Sequence, residues 1–220
     1  MKKILALLLV GCMALALAAC GTPATTEGGG SSAPSGDTIY IGVYEPLTGD
    51  NGAGGKQEVL GMQYANSVAP TVEIGGKTYN VKLEVVDNES ANDKAVSAAN
   101  SLISKNVSLV LGSYGSGVSI AAAETFESAG VAAIGVTCTN PQVTEGNDSY
   151  FRICFIDPFQ GTMLARFAVE NEYKNIAIIQ EIESEYAVGL VNYFEQELSA
   201  HEGYAVSSKG NFVNTDQDFT

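Results

Sequence analysis

Two short stretches carry the most useful polar chemistry of this chain: Ser113-Tyr114-Gly115-Ser116-Gly117 and Thr137-Cys138-Thr139-Asn140. Both are rich in hydroxyls and amides, and the first is threaded with glycine. Ser116 stands just before a helical run, Val118 to Ala129, and is expected to be its N-cap. Free backbone N–H groups and the helix dipole favour an anion at such a place. Thr139 offers a hydroxyl to the same point, and the carbonyl of Thr137 can accept from an ammonium group. Gly115 and Gly117 let a ligand come close to the backbone. The plainer alternative for Ser116 is a helix cap and nothing more. On the first reading the chemistry is that of holding a small charged molecule.

Bond-breaking chemistry has little to work with. His201 is the single histidine, and it lies in the polar connection Ser199-Ala200-His201-Glu202-Gly203. There is no Cys-x-x-Cys pair, no Walker loop, no Gly-x-Gly-x-x-Gly and no Gly-x-Ser-x-Gly elbow. No metal and no cofactor is expected, and the chain reads as a non-enzyme. The formal net charge is −14, which argues against nucleic acid as a partner, because phosphates need a basic face.

The two polar stretches must be positioned by strands and helices. Val107 to Leu111 is an apolar run ending in Gly112, as expected of a buried parallel strand. Gly130 stops the helix that follows, and Val131 to Val136 is the next strand. A right-handed βαβ crossover brings both polar loops to one carboxyl edge of the sheet, where open α/β sheets bind ligands. Upstream, Ile39 to Tyr44 is a strand, Glu45 to Gly55 a glycine-rich loop, and Gln57 to Ala69 a helix ended by Pro70. Tyr79 to Val86 alternates as a half-exposed strand, and Asn92 is a plausible N-cap for a helix to Lys105. Tyr150 to Phe155 is a further apolar run.

Then the pattern restarts. Asp157 is expected to cap a helix over Phe159 to Asn171, with Pro158 at its first position. A buried strand (Asn175 to Gln180), a helix (Glu183 to Ser199) and a strand (Tyr204 to Phe212) follow. Strict alternation implies parallel sheets with helices on both faces. The organisation expected is a first lobe over 38–154 and a partial second lobe over 155–220. Two helices and about two strands make a thin sheet that further chain or a partner would have to cover.

Met1 to Cys20 reads as a processing segment: Lys2 and Lys3, an apolar stretch from Ile4 to Ala19, then Leu17-Ala18-Ala19-Cys20. That ending resembles the lipobox of bacterial lipoproteins, which implies lipidation of Cys20. Gly21 to Asp37 is Gly, Ser, Thr, Ala and Pro with almost no bulky apolar residue, and reads as a flexible tether. Of four cysteines, Cys138 and Cys154 belong to the folded part. A disulfide between them is open to an exported protein, and two small buried thiols are the preferred reading.

The whole folded part resembles the leucine/isoleucine/valine-binding family of type I periplasmic binding proteins. The residues that carry the resemblance are Ile41 to Gly49, Gly61, Val85-Val86-Asp87-Asn88, Val110 to Ser116, Ile134 to Pro141, Tyr150-Phe151-Arg152, Ile176 to Ile179 with Tyr186 and Gly189, and Asp218-Phe219-Thr220. The resemblance implies an α/β fold of two Rossmann-like lobes with parallel sheets, the second incomplete. It implies a lipid-anchored solute receptor on the extracytoplasmic face of the cell membrane, serving an ABC permease and binding an amino acid with an aliphatic side chain. It maps ligand contacts onto Ser116, Thr137, Cys138 and Thr139 in the first lobe and Tyr186 in the second. Cys138 is expected to contribute packing or a backbone contact only. An acid from the second lobe is expected only past Thr220, and closure as a hinge motion near Cys154 to Asp157. Two departures stand out: Gly54 where relatives carry a bulky residue, and Ala187 in place of a glycine. Rival ligands on the same fold are an amide, a urea-like compound, an aromatic acid or a short peptide. A rival class is a surface hydrolase or redox lipoprotein.

Overall fold

Short apolar runs that alternate with Ala-rich amphipathic runs have one economical solution, a sheet with its helices laid across it. The computed structural model, which describes residues 37–218, has that form. The signal segment, Cys20 and the tether lie outside the described residues, save Asp37, whose carboxylate pairs with Lys77 at 2.8 Å.

The first lobe contains β1 (Thr38–Glu45), α1 (Gly52–Val68), β2 (Thr71–Ile74), β3 (Lys77–Asp87), α2 (Asn92–Ser104), β4 (Leu109–Leu111), α3 (Ser116–Ser128), β5 (Ala132–Gly135) and β6 (Tyr150–Arg152). The six strands run in the order β2-β3-β1-β4-β5-β6. All neighbours are parallel except β2 and β3. That hairpin departs from the all-parallel expectation. Gly75 and Gly76 both take positive φ there, which suits a two-residue turn, and it puts β2 on the edge. β3 and β4 lie on opposite sides of β1, so the strand order reverses at β1. The crevice beyond the carboxyl ends of β1 and β4 is where such sheets hold ligands.

Packing fixes that edge firmly. Tyr44, Leu102, Val110 and Phe126 are wholly or almost wholly buried, and Ala95, Ala99 and Ala122 let α2 and α3 sit close to the sheet. Tyr44 meets Phe126 edge-on, with ring centroids 5.4 Å apart, and its hydroxyl donates to the Val118 carbonyl. Tyr150 donates its hydroxyl to the Gly112 carbonyl at 2.8 Å, tying β6 to the end of β4.

The second lobe holds α4 (Asp157–Glu170), β7 (Asn175–Glu181), α5 (Glu185–Ser199) and β8 (Ala205–Phe212), with β7 and β8 parallel. α4 packs tightly on α5, because Gly161 lets the backbone of Phe194 and the side chain of Tyr193 approach where a Cβ would come within 2.7 Å. Ile179, Phe159 and Phe167 remain more than half exposed, in keeping with a thin second sheet. Among the described residues no helix is long and apolar enough to cross a membrane.

Several element starts differ from expectation. α1 begins at Gly52, not Gln57. Its glycines are used for contact: a Cβ at Gly55 would run into Pro46, and one at Gly54 into the Tyr114 ring. The N-cap of α2 is Ala91, so Asn92 is the first helical residue and its side chain is free to reach elsewhere. α4 is capped by Ile156, which makes Asp157 its first helical residue.

Candidate functional site

The carboxyl ends of β1, β4 and β5 and the amino end of α5 enclose a cavity of about 890 Å³ between the lobes. Ser116, Thr137, Thr139 and Tyr186 all line it. Cys138 does not; it is wholly buried, its sulfur turned toward Gly135 and its carbonyl accepting from Arg152 at 3.0 Å. Burial pushes its thiol up to about 11, so it is a poor nucleophile. Cys138 and Cys154 are both free thiols.

Ser116 is not the N-cap of α3. Gly115 is, in extended conformation, and Ser116 is the first helical residue, 3% exposed. The reason is the hydroxyl's other engagement: it accepts from the Asn140 amide at 3.2 Å, joining the two polar loops. The helix still opens on the cavity. The first turn of a helix leaves its N–H groups without intrahelical acceptors, and here they belong to Ser116, Gly117 and Val118, all on the cavity wall.

The loops are braced from behind. Asp87, at the end of β3, accepts from the amides of Leu47 and Glu89 at 2.8 Å and from the Thr48 hydroxyl at 2.7 Å. Burial pushes its carboxyl up, but these hydrogen bonds outweigh it and hold the group below its ordinary value. Asn88 donates to Ser113 at 2.9 Å. The Thr137 hydroxyl donates to Glu58 at 2.6 Å and reaches the Tyr114 carbonyl at 3.2 Å. Arg152 spreads over the 137–144 segment, donating to the carbonyls of Cys138, Asn140 and Pro141 and to the Thr144 hydroxyl at 2.7–3.0 Å.

The second lobe meets this wall through α5. Ser184 caps the helix by accepting from the Ala187 amide. Asn92 donates to the Glu185 carboxylate at 3.0 Å and Asn140 to the Glu185 carbonyl at 2.8 Å. Tyr186 is 38% exposed and accepts from Gln160 at 2.9 Å. The backbone of α4 is also tied in, since the Asp157 amide donates to the Thr139 carbonyl at 3.0 Å.

Charge on the wall has one sign. Asp50, Asp93, Glu181, Glu183 and Glu185 line the cavity, and among the described residues no Lys, Arg or His lines it beside them. Three of these acids come from the second lobe, ahead of the position where such an acid is expected. Neutral donors share that wall, among them the first N–H groups of α3, the Ser116 hydroxyl and the side chains of Asn51 and Asn92. A ligand's cationic end has several carboxylates to choose from. Sequence reasoning missed Asn92, Asn140, Gln160 and Glu185, because polar residues at helix starts read equally well as caps. It also missed Tyr114, whose ring covers the space that Gly54 leaves open.

Asp157 carries a separate cost. It is fully buried and neither carboxylate oxygen has a well-formed hydrogen bond. Burial raises its pKa, against the Thr139 hydroxyl and the Arg152 charge. A raised folded-state value makes its contribution to stability fullest below the ordinary value of 3.8 and lost as pH rises through the folded value. At pH 7, Asp157→Asn should therefore stabilise the fold by on the order of 1 kcal/mol. Thermal melts should show that advantage closing as pH falls toward 4.

The comparisons with known proteins agree with this architecture. An amino acid binding protein of Pseudomonas aeruginosa is 33% identical over 165 residues, 73% of this chain and 43% of that protein. The solved leucine binding protein LivK of Thermotoga maritima superposes with a TM-score of 0.76 at 35% identity, over 83% of this chain and 51% of that one. LivJ of Streptococcus pneumoniae, solved with isoleucine, gives 0.73 at 29% identity, over 83% and 51%. The chain thus spans about half the length of the relatives it matches. The model of the family described as "Periplasmic binding protein" matches residues 38–220, from the first strand onward, and the chain belongs to that family.

Proposed function

We propose that this chain is the ligand-binding part of an extracytoplasmic solute receptor that delivers an amino acid with an aliphatic side chain to an ABC permease. The observation that carries the reading is the polarity of the cavity: a helix N-terminus with the Ser116 hydroxyl on one side, three carboxylates of the second lobe opposite, and, among the described residues, no basic side chain on the wall. A zwitterion fits that arrangement end to end, its carboxylate on α3 and its ammonium toward the second lobe. Ser116 and the backbone of Thr139 take the carboxylate, the Thr137 carbonyl faces the ammonium, and Tyr186 covers the side chain. Cys138 stands behind the wall and serves by packing. The names of the Pseudomonas, Thermotoga and Streptococcus relatives point the same way. The folded part divides near residue 155, and the lobes close about 154–157. No reaction is catalysed; His201 sits beside Glu197 at 3.6 Å, off the cavity wall.

Calorimetry with L-leucine, L-isoleucine, L-valine, leucinamide and benzoate tests this. Binding of an amino acid but not of leucinamide, which lacks the carboxylate, is expected. Benzoate binding in preference to every amino acid would replace the reading with an aromatic-acid receptor. Solved neighbours from Rhodopseudomonas palustris at 20–22% identity, one with 3,4-dihydroxybenzoic acid and one with benzoate, share the fold alone.

Cys20, outside the described residues, is the proposed lipid anchor. In a bacterial host the chain should take up labelled palmitate and fractionate with membranes, and Cys20→Ser should do neither. Equal labelling of both forms would remove the anchor from the proposal.

A further inference from the structure

β1 ends in Glu45, a carboxyl with no exposed surface. Its Oε2 accepts from the Tyr114 amide at 2.7 Å. Glu58, half-buried on α1, accepts at Oε1 from the Thr137 hydroxyl. Each acid thus uses one oxygen to hold a loop of the cavity wall. The remaining oxygens, Glu45 Oε1 and Glu58 Oε2, are both buried and both without a partner. The two side chains lie within hydrogen-bonding reach of each other. Two carboxylates so placed would repel and leave two bare oxygens, whereas one proton between them satisfies both.

The surroundings offer no other remedy. Among the described residues no Lys, Arg or His makes an ion pair with either acid. The ionisable neighbours of Glu45 are Tyr44 on its own strand, Glu58 on α1 and Tyr150 on β6, and Glu58 also faces Cys154. Burial raises both tyrosines and the thiol, so all three are neutral near pH 7.

We propose that Glu45 and Glu58 hold a single proton between them, and that this singly charged pair positions the Tyr114 and Thr137 loops for the ligand. The pair does not touch the ligand; it holds the groups that do. Its positioning role rests on the cavity reading above, but the proton can be detected without any ligand. Burial and the nearby Glu58 charge push Glu45 up to about 10. With the folded value raised, the stabilisation is fully present below the ordinary value of 4.5 and is lost as pH rises through about 10. Across that window the native state holds an extra proton, so the unfolding constant rises by up to about tenfold per pH unit.

Carboxyl NMR of the ¹³C-glutamate-labelled chain at pH 7 is expected to show one protonated glutamic acid, absent from Glu45→Gln. In that variant the amide donates to Glu58 as the proton did, so the Tyr114 amide should keep its protection from hydrogen exchange. The pH dependence of unfolding above 4.5 should flatten. Glu45→Ala should instead speed exchange of the Tyr114 amide by at least about tenfold. Should Glu45→Ala fail to fold, Glu45→Gln decides alone. The shared proton is overturned by glutamates that are all ionised at pH 7, or by a Glu45→Gln variant as pH-dependent as wild type. A melting point that moves with chelator also overturns it, by placing a cation there. The positioning role is overturned if Glu58→Ala binds L-leucine as wild type does. It is overturned too if wild type binds no leucine, a result that refutes the cavity reading and leaves the carboxyl signal to decide the proton.

Discussion

Arg152→Ala should lower the unfolding midpoint by roughly 6–12 °C, the shift that about 3 kcal/mol produces in a chain of this size. The guanidinium is half-buried and holds three carbonyls and one hydroxyl between Cys138 and Thr144. Hydrogen bonds to a charged donor contribute about 1.5–3 kcal/mol each, and they are not additive when they share a side chain. Removing the arginine leaves carbonyls of a fixed loop without donors, several of them away from water. Arg152→Lys should recover less than half of the loss, because one ammonium cannot reproduce a planar fork that serves four acceptors. Differential scanning calorimetry of the three forms checks both statements. A lysine variant that melts with wild type would mean that charge alone, not the fork, holds the segment.

Gly117→Leu should separate folding from binding. Gly117 is the second residue of α3, and any Cβ there meets the Glu185 carboxylate and comes within 2.9 Å of the Asn92 side-chain oxygen. Four added carbons would wedge the lobes apart, break the 3.0 Å bond from Asn92 to Glu185 and crowd the N–H groups of the first turn. L-Leucine affinity should fall at least about 100-fold, equivalent to 2.7 kcal/mol. Stability should hold or rise slightly, since leucine favours a helix over glycine by up to about 1 kcal/mol. Titration calorimetry and thermal melts on one preparation give both numbers. Unchanged affinity would mean that the ligand does not sit against this end of α3.

The alternation of strands and helices was readable from apolar runs and glycine stops, and so was the meeting of the 113–117 and 137–140 loops, because crossover handedness leaves one arrangement. Helix starts were harder. Asn92, Ser116 and Asp157 are all good capping types, yet each is the first helical residue while Ala91, Gly115 and Ile156 cap. In each case a tertiary partner was available: Glu185 for Asn92, the Asn140 amide for Ser116, the Thr139 carbonyl for the Asp157 backbone. Local preference cannot register a partner more than a few residues away. The glycines of α1 misled for a related reason, since they answer to contact with Pro46 and Tyr114. Glu45 and Glu58 left no signal at all; thirteen positions apart on a strand end and a helix, they are joined only by the fold.

The amino end of α5 has a consequence for how a ligand can sit. Two helices point their positive ends into the cavity, α3 from one lobe and α5 from the other. α5 is already quenched, with Ser184 accepting from one of its first amides and Glu185 laying a negative charge on its first turn. α3 has no acid in its first turn. The Glu185 carboxylate nonetheless lies against Gly117 on that turn, so one side chain screens the amino ends of both helices, and an anion gains α3 only by displacing it. On the proposed reading, binding is an exchange of one carboxylate for another, and the bond from Asn92 to Glu185 is the contact that the exchange would break.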